Sequence, residues 1–353
     1  VHSDDLISRT FFKQKTEKGG GHMNSIGIIA NPASGKDIRR LVSHATVIDN
    51  NEKINIVERI ILGAQQNGVK KVYMMPDPYN MGYRVEDKLK TSGELKCEIE
   101  VFDFYKEDTV EDTYKAVQMM NEKNVGCIVT LGGDGTNRAV AKDIKEIPLI
   151  SISTGTNNVY PDMIEGTIAG IAAAVVASQQ FDKAAYSNRD KIIEIETAGQ
   201  LKDIALIDAV ISRDIFVGSR AIWKVEDIEK IFVARSHPAS IGFSAVVGGK
   251  TIITEADNFG AYVSIDKNAP KIKIPMAAGI VLPIGTSEPV ILTFSEVYTF
   301  TTYCRGTIAL DGEREIEFHQ NQTFTFKLSR NGPWHVDVKK AIEVGQQNGF
   351  FKV

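Results

Sequence analysis

Five residues, Gly132-Gly133-Asp134-Gly135-Thr136, carry the densest chemistry in this 353-residue chain. They follow Gly126-Cys127-Ile128-Val129-Thr130-Leu131, an apolar run rich in β-branched residues that reads as a buried strand. They precede Asn137-Arg138-Ala139-Val140-Ala141-Lys142, which reads as the opening turns of a helix. Glycines in a strand-to-helix turn remove the Cβ atoms that would hold a polyphosphate off the backbone amides. The helix N-terminus adds the positive end of its dipole. Asp134 is the odd member, because a carboxylate beside bound phosphate is repulsive unless a metal or an acceptor hydroxyl needs it. The combination points to phosphoryl transfer. The alternative for these residues alone is a glycine-rich turn in which Asp134 is a local hydrogen-bond acceptor.

Such a loop needs a strand behind it and a helix ahead of it. Strand-like runs occur at 25–30, 70–75, 97–102, 126–131 and 148–153, with helical patterns such as 52–66 and 110–123 between them. In the latter, Val110, Tyr114, Val117 and Met120 recur at helical spacing. This alternation predicts an α/β N-terminal domain with a doubly wound parallel sheet. After a helical stretch at 163–180 the character changes. Runs at 191–197, 204–212, 239–247, 259–265, 271–274, 278–284, 290–294, 307–310 and 323–328 predict a β-rich C-terminal domain, with one helix at 225–234. The expected division is a nucleotide-binding domain at 23–161 and an acceptor-binding domain at 162–337. The helical stretch at 338–345 opens a segment, 338–353, expected to pack back on the first domain. Residues 1–22 are polar and end in Gly19-Gly20-Gly21-His22, and read as a disordered or non-native extension.

In a doubly wound sheet, ligands bind at the carboxyl ends of the strands. Asn31-Pro32-Ala33-Ser34-Gly35-Lys36-Asp37 follows the first strand, Gly132–Thr136 the fourth, and Ser153-Thr154-Gly155-Thr156-Asn157-Asn158 the fifth. The first loop is similar to a Walker A phosphate loop and fails it: Ala30 stands at the leading glycine, and Asp37 where a Mg²⁺-binding hydroxyl should follow Lys36. Taken singly, the first loop could be a plain turn and the third a helix cap. Together, at matching strand ends, they form a polar crevice able to hold a nucleotide.

Asn31-Pro32-x-Ser34-Gly35, Gly132-Gly133-Asp134-Gly135-Thr136 and Gly155-Thr156-x-Asn158 resemble, in order and spacing, the loops of the NAD kinase, diacylglycerol kinase and sphingosine kinase superfamily. The phrase Asn31-Pro32-Ala33-Ser34-Gly35-Lys36-Asp37-Ile38-Arg39-Arg40 resembles the ATP-NAD kinase branch that includes the acetoin-catabolism protein X type. The resemblance implies ATP and Mg²⁺ as cofactors, and Asp134 as the acid that activates or orients the acceptor hydroxyl. It places Gly132, Gly133, Gly135 and Thr136 around the phosphates. Asn31, Ser34, Gly35, Gly155, Thr156 and Asn158 would line the nucleotide crevice. Asn157, Asp208, Asp311 and Glu313 would face the acceptor. Asp208 fits an acidic position of the family strand, but Ile207 replaces the Asn that precedes it. Asp311-Gly312-Glu313 resembles a turn of the lipid kinase branch, and is equally a hairpin-turn signal in its own right.

The resemblance implies an ATP-dependent kinase acting on a small-molecule hydroxyl. NAD is the leading acceptor, and Ile207 predicts weak turnover of it. A non-catalytic nucleotide sensor and a lipid kinase are the alternatives, the latter lacking an evident apolar stripe for acyl chains. A net charge of −4 argues against nucleic acid as a partner. Cys97, Cys127 and Cys304 form no metal-ligand or disulfide pattern, which fits a reducing cytoplasm. The longest apolar run, 168–177, is about half of what a bilayer span needs. The expected partners are a small-molecule substrate and further copies of the chain. No metal ligands stand out; His44, His237, His319 and His335 lack paired spacing.

Overall fold

The structure, a computed structural model, describes residues 24–32, 48–155, 157–213 and 225–353, without the side chains of 314 and 315. β1 (Ser25–Ala30) is buried at every residue because parallel neighbours flank it on both sides. β2 (Lys71–Met74) and β3 (Glu98–Val101) lie on one side of it, β4 (Cys127–Gly132) and β5 (Pro148–Ser153) on the other. The order β3-β2-β1-β4-β5 therefore reverses direction between β1 and β4. That is the switch point at which open α/β sheets bind ligands.

Helices cover both faces. α1 (Asn50–Gln66), α2 (Met81–Thr91) and α5 (Gly166–Ala177) pack on Ile26, Ile28, Val129 and Leu131. α3 (Val110–Glu122) and α4 (Asp134–Asp143) pack on Ile29 and Ile128 through Ala116, Val117, Met120 and Val140. Gly170 lets α5 lie directly on α1, since a Cβ there would run into the Ile60 carbonyl. No helix among the described residues is long and apolar enough to cross a membrane.

After β6 (Ser187–Arg189) the chain becomes β-rich. β7 (Ile192–Thr197), β8 (Gln200–Ala205), β9 (Asp208–Ser212) and β10 (Ile228–Val233) are followed by α6 (Phe243–Gly248) and β11 (Phe259–Ser264). Then come β12 (Lys271–Ala277), β13 (Ile280–Gly285), β14 (Val290–Thr293) and β15 (Val297–Thr301). β16 (Gly306–Leu310), β17 (Glu313–Phe318) and β18 (Thr323–Ser329) complete this part. A six-stranded sheet, β14-β11-β10-β9-β16-β17, and a four-stranded sheet, β15-β18-β7-β8, share one apolar core. Phe232 and Phe326 stack in it, with ring centroids 4.3 Å apart. α6 and the separate hairpin β12-β13 contribute to a second core with the six-stranded sheet. β19 (Trp334–Val336) then returns to pair parallel with β5 and antiparallel with β6. α7 (Val338–Gln347) places Val338 and Ala341 in the core of the first sheet.

The fold is the expected one, with local corrections. The helix expected at 225–234 is a short 3-10 turn, Val225–Asp227, followed by β10. Ile231 and Val233 serve one core and Phe232 the other, so a strand apolar on both faces imitates helical spacing. The strand expected at 239–247 contains α6 instead, its β-branched residues overridden by complete burial. The run 204–212 divides at Leu206 and Ile207 between β8 and β9. α5, β6 and β19 belong with the first sheet, so the first layer extends beyond the boundary expected at 161.

Candidate functional site

Asn31 and Pro32 after β1 and the described residues of the loops after β4 and β5 meet at the switch point. Asn31, next after β1, donates its main-chain N–H to the Leu131 carbonyl at 3.1 Å, so the first two loops start side by side. Its side-chain amide donates to the Thr136 hydroxyl at 3.0 Å. Lys53 of α1, only 1% exposed, donates to the Asn31 carbonyl at 2.9 Å. Behind the loop, buried Asn137 accepts from the Thr130 hydroxyl at 2.6 Å and donates to the Gly133 carbonyl at 2.9 Å.

α4 begins at Asp134, with Gly133 as an N-cap that has no side-chain capping bond. The cap residue itself therefore places no side chain over the positive end of α4. The Asp134 carboxylate accepts from the Val159 N–H at 3.0 and 3.1 Å and from the Tyr160 N–H at 2.8 Å. These bonds use part of a carboxylate's acceptor capacity and fasten the third loop to the second. Asn158, half-buried, donates to the Ser153 hydroxyl at 2.9 Å and the Gly155 carbonyl at 3.3 Å. The glycines serve this packing as well as any phosphate. A Cβ on Gly133 would lie 2.8 Å from Asn158 Oδ1, one on Gly132 would meet Thr136 at 2.5 Å, and one on Gly135 would collide with Glu313.

The second part of the chain reaches the same helix through carboxylates. Arg138, buried on α4, stands 3.2 Å from Asp203, 3.4 Å from Glu313 and 3.8 Å from Asp311. Asp311 and Gly312 have φ of 49° and 80°, the left-handed pair that a tight β16–β17 hairpin requires. The Asp311 carboxylate accepts from the main-chain N–H of Leu206 at 2.9 Å, Ile207 at 2.7 Å and Asp208 at 3.1 Å. Burial pushes its carboxyl up to about 6, against the pull of Arg138 and these amides. On the other side, Asn157 accepts from the Ala278 N–H, at the tip of the β12–β13 hairpin, at 3.3 Å.

Residues 26–181 match the ATP-NAD kinase N-terminal domain, and residues 191–331 the acetoin catabolism protein X C-terminal domain. Over 325 residues the chain is 32% identical to the acetoin catabolism protein X of Cupriavidus necator, covering 89% of this chain and 90% of that protein. The chain belongs to the acetoin catabolism protein X family. Its fold is shared with the crystal structure of yeast NADH kinase complexed with NADH. That likeness has a TM-score of 0.50 at 13% identity and covers 93% of this chain and 88% of the yeast chain.

For this member of the family, the structure gathers Asn31, Gly132, Gly133, Asp134, Gly135, Thr136, Gly155, Asn157, Asn158 and Glu313 around the start of α4. Ser34, Gly35 and Thr156 lie outside the described residues. Asp311 is 4% exposed and its carboxylate is committed to main-chain amides. Asp208 is buried at the start of β9. Ile207, 1% exposed, sits in the core shared with α3 and α4, so its side chain occupies no position facing an adenine. Glu313 is half-exposed, with 51% of its side chain accessible, and its carboxylate pairs with Arg138 at 3.4 Å beside Gly135. Lys53 and Arg138 were missed by sequence reasoning. Lys53 shares the apolar stripe of α1 with Val57, Ile60 and Ile61, a spacing that marks it as buried. Arg138 carries no local signal, because its partners come from distant strands.

Proposed function

We propose that this protein transfers the γ-phosphoryl group of ATP to a hydroxyl of a small molecule, with NAD the first acceptor to test. One observation supports it above the others: the main-chain amides of Val159 and Tyr160 hold the Asp134 carboxylate at the mouth of a glycine-capped helix, at the switch point of the sheet. Phosphates would lie on the amides of the first turn of α4, and Asp134 would take or direct the acceptor hydroxyl proton. Positioning and charge stabilisation supply most of the catalysis in such transfers. Among the described residues no group of three or more His, Cys, Asp or Glu converges on a metal point. This suits Mg²⁺, which needs only one or two carboxylates beside substrate phosphates. Glu313, half-exposed beside Gly135 and paired with Arg138, is the carboxylate that would approach such an ion, which would neutralise phosphate charge.

ADP release should appear with ATP, Mg²⁺ and an accepted hydroxyl compound, and a coupled dehydrogenase assay reports NADP formed from NAD. The proposal fails if no acceptor among NAD, sugars and diols gives ADP above the ATP-only rate. A second reading, a nucleotide sensor without turnover, draws on the buried Ile207 and Asp311, which are committed to the fold. Tight binding of a non-hydrolysable ATP analogue without ADP release would favour it.

A further inference from the structure

Tyr160 has two ends that do different things. Its main-chain N–H donates to Asp134 at 2.8 Å, while its side chain runs into the interior and is 2% exposed. There the phenol donates to Asp190 Oδ2 at 2.6 Å. Asp190, buried between β6 and β7, takes the Arg235 guanidinium on its other oxygen at 3.1 Å. Arg235 comes from just beyond β10 and lies over the Tyr160 ring, 5.1 Å from its centroid. His335 of β19 stacks on the same ring at 4.8 Å and brings Nδ1 within 3.3 Å of Asp190. A loop, an inter-strand joint, the bend after β10 and the strand β19 thus converge on one ring from distant parts of the chain.

Packing alone does not call for this chemistry. A buried ion pair is no more stabilising than well-packed apolar side chains of similar volume, and a phenylalanine ring would fill the space. What the hydroxyl adds is position, because a short hydrogen bond to a fixed carboxylate holds the far end of the side chain in place. Burial works to raise the Asp190 carboxyl, yet Arg235 and then His335 hold it below its ordinary value, so the acceptor stays charged. Arg235 also lies within Coulombic reach of Asp134.

We propose that Tyr160 is a positioning residue: its hydrogen bond to Asp190, backed by Arg235, fixes the main-chain amide that aims the Asp134 carboxylate. The kinetic part of this inference rests on the phosphotransferase reading above. The anchoring part does not.

The test is Tyr160→Phe, which keeps the ring and removes only the hydroxyl, with Asp190→Asn as a second variant that removes the charge on its acceptor. Both are checked for folding by near-UV circular dichroism. Amide hydrogen exchange at positions 159 and 160 should quicken about tenfold or more in the folded variants, as local opening becomes easier. Turnover should fall about ten- to a hundredfold, the range expected when a reacting group is displaced by about 1 Å. Affinity for a non-hydrolysable ATP analogue should stay within about twofold, and Tyr160→Phe should add little to Asp134→Asn, as for residues acting as one unit. Unchanged exchange at both positions overturns the inference whatever turnover does. Turnover within about twofold of the unmodified protein overturns it as well. If the unmodified protein turns over no acceptor, the phosphotransferase reading fails, and the exchange rates alone decide whether Tyr160 anchors Asp134.

Discussion

Asp311 Oδ1 accepts the Ile207 main-chain N–H at 2.7 Å. With the Leu206 and Asp208 amides on the same carboxylate, this bond holds the break between β8 and β9. The Ile207 side chain lies in the apolar core instead of the crevice. Ile207→Asn therefore should not improve NAD phosphorylation. It removes about 2 kcal/mol of apolar burial and leaves an amide without arranged partners at about 1–3 kcal/mol. Urea denaturation should show a loss of about 3 kcal/mol or more. Raised NADP formation at unchanged stability would show that this side chain faces the substrate.

The first sheet was legible because β1, β4 and β5 are buried on both faces and so read as unbroken apolar runs bounded by loops. β10 was misread for the same physical reason. A strand between two cores has no regular polar alternation, and Ile228 and Ile231 of β10 continue at helical spacing from Val225 of the turn before it. α6 is too short for a helical period to show. At the site, the small and polar residues at the ends of β4 and β5 were legible because they cluster there in the sequence. Their supports were not. Arg235 meets Asp190 across 45 residues, and Arg138 meets Glu313 across 175, so no local spacing announces either pair.

Asp134→Asn tests the carboxylate at the centre of the site. The substitution keeps the shape of the side chain but replaces one oxygen by a donor, which meets the Val159 and Tyr160 N–H groups unfavourably. Folding should persist. Turnover should drop about 10²–10⁴-fold, the usual contribution of a general acid–base group. Measured by steady-state ADP release, wild-type turnover in this variant would remove Asp134 from the chemistry.

Gly133→Val probes the cradle. Its Cβ would stand 2.8 Å from Asn158 Oδ1, so the Asn158 side chain must move, and the branched side chain would stand where phosphates would approach the amides at the start of α4. Affinity for a non-hydrolysable ATP analogue should weaken by about tenfold or more, which is about 1.4 kcal/mol. The apolar cores are not touched, and thermal unfolding should remain cooperative. Calorimetric titration decides the matter: an unchanged dissociation constant in the folded variant would mean that nucleotide does not use this loop.

Lys191 gives stability a pH dependence with a definite sign. Its buried amine donates to the Thr254 and Phe259 carbonyls, each at 2.8 Å. Burial, and then the Arg330 guanidinium, lower it from an ordinary 10.5 to about 8. Below about 8 the amine is protonated in both the folded and the unfolded chain, and the penalty of burying it is fully present. Between about 8 and 10.5 the unfolded chain holds the extra proton, so this residue makes stability rise with pH. Lys191→Met keeps the volume and removes the titration. Its absolute stability also changes because two carbonyls lose their donor, so the informative quantity is the difference between the two proteins as pH varies. Urea denaturation from pH 7 to about 10 should show the unmodified protein gaining on the variant through that window. Parallel profiles for the two proteins would show that the Lys191 amine keeps its ordinary protonation in the folded state.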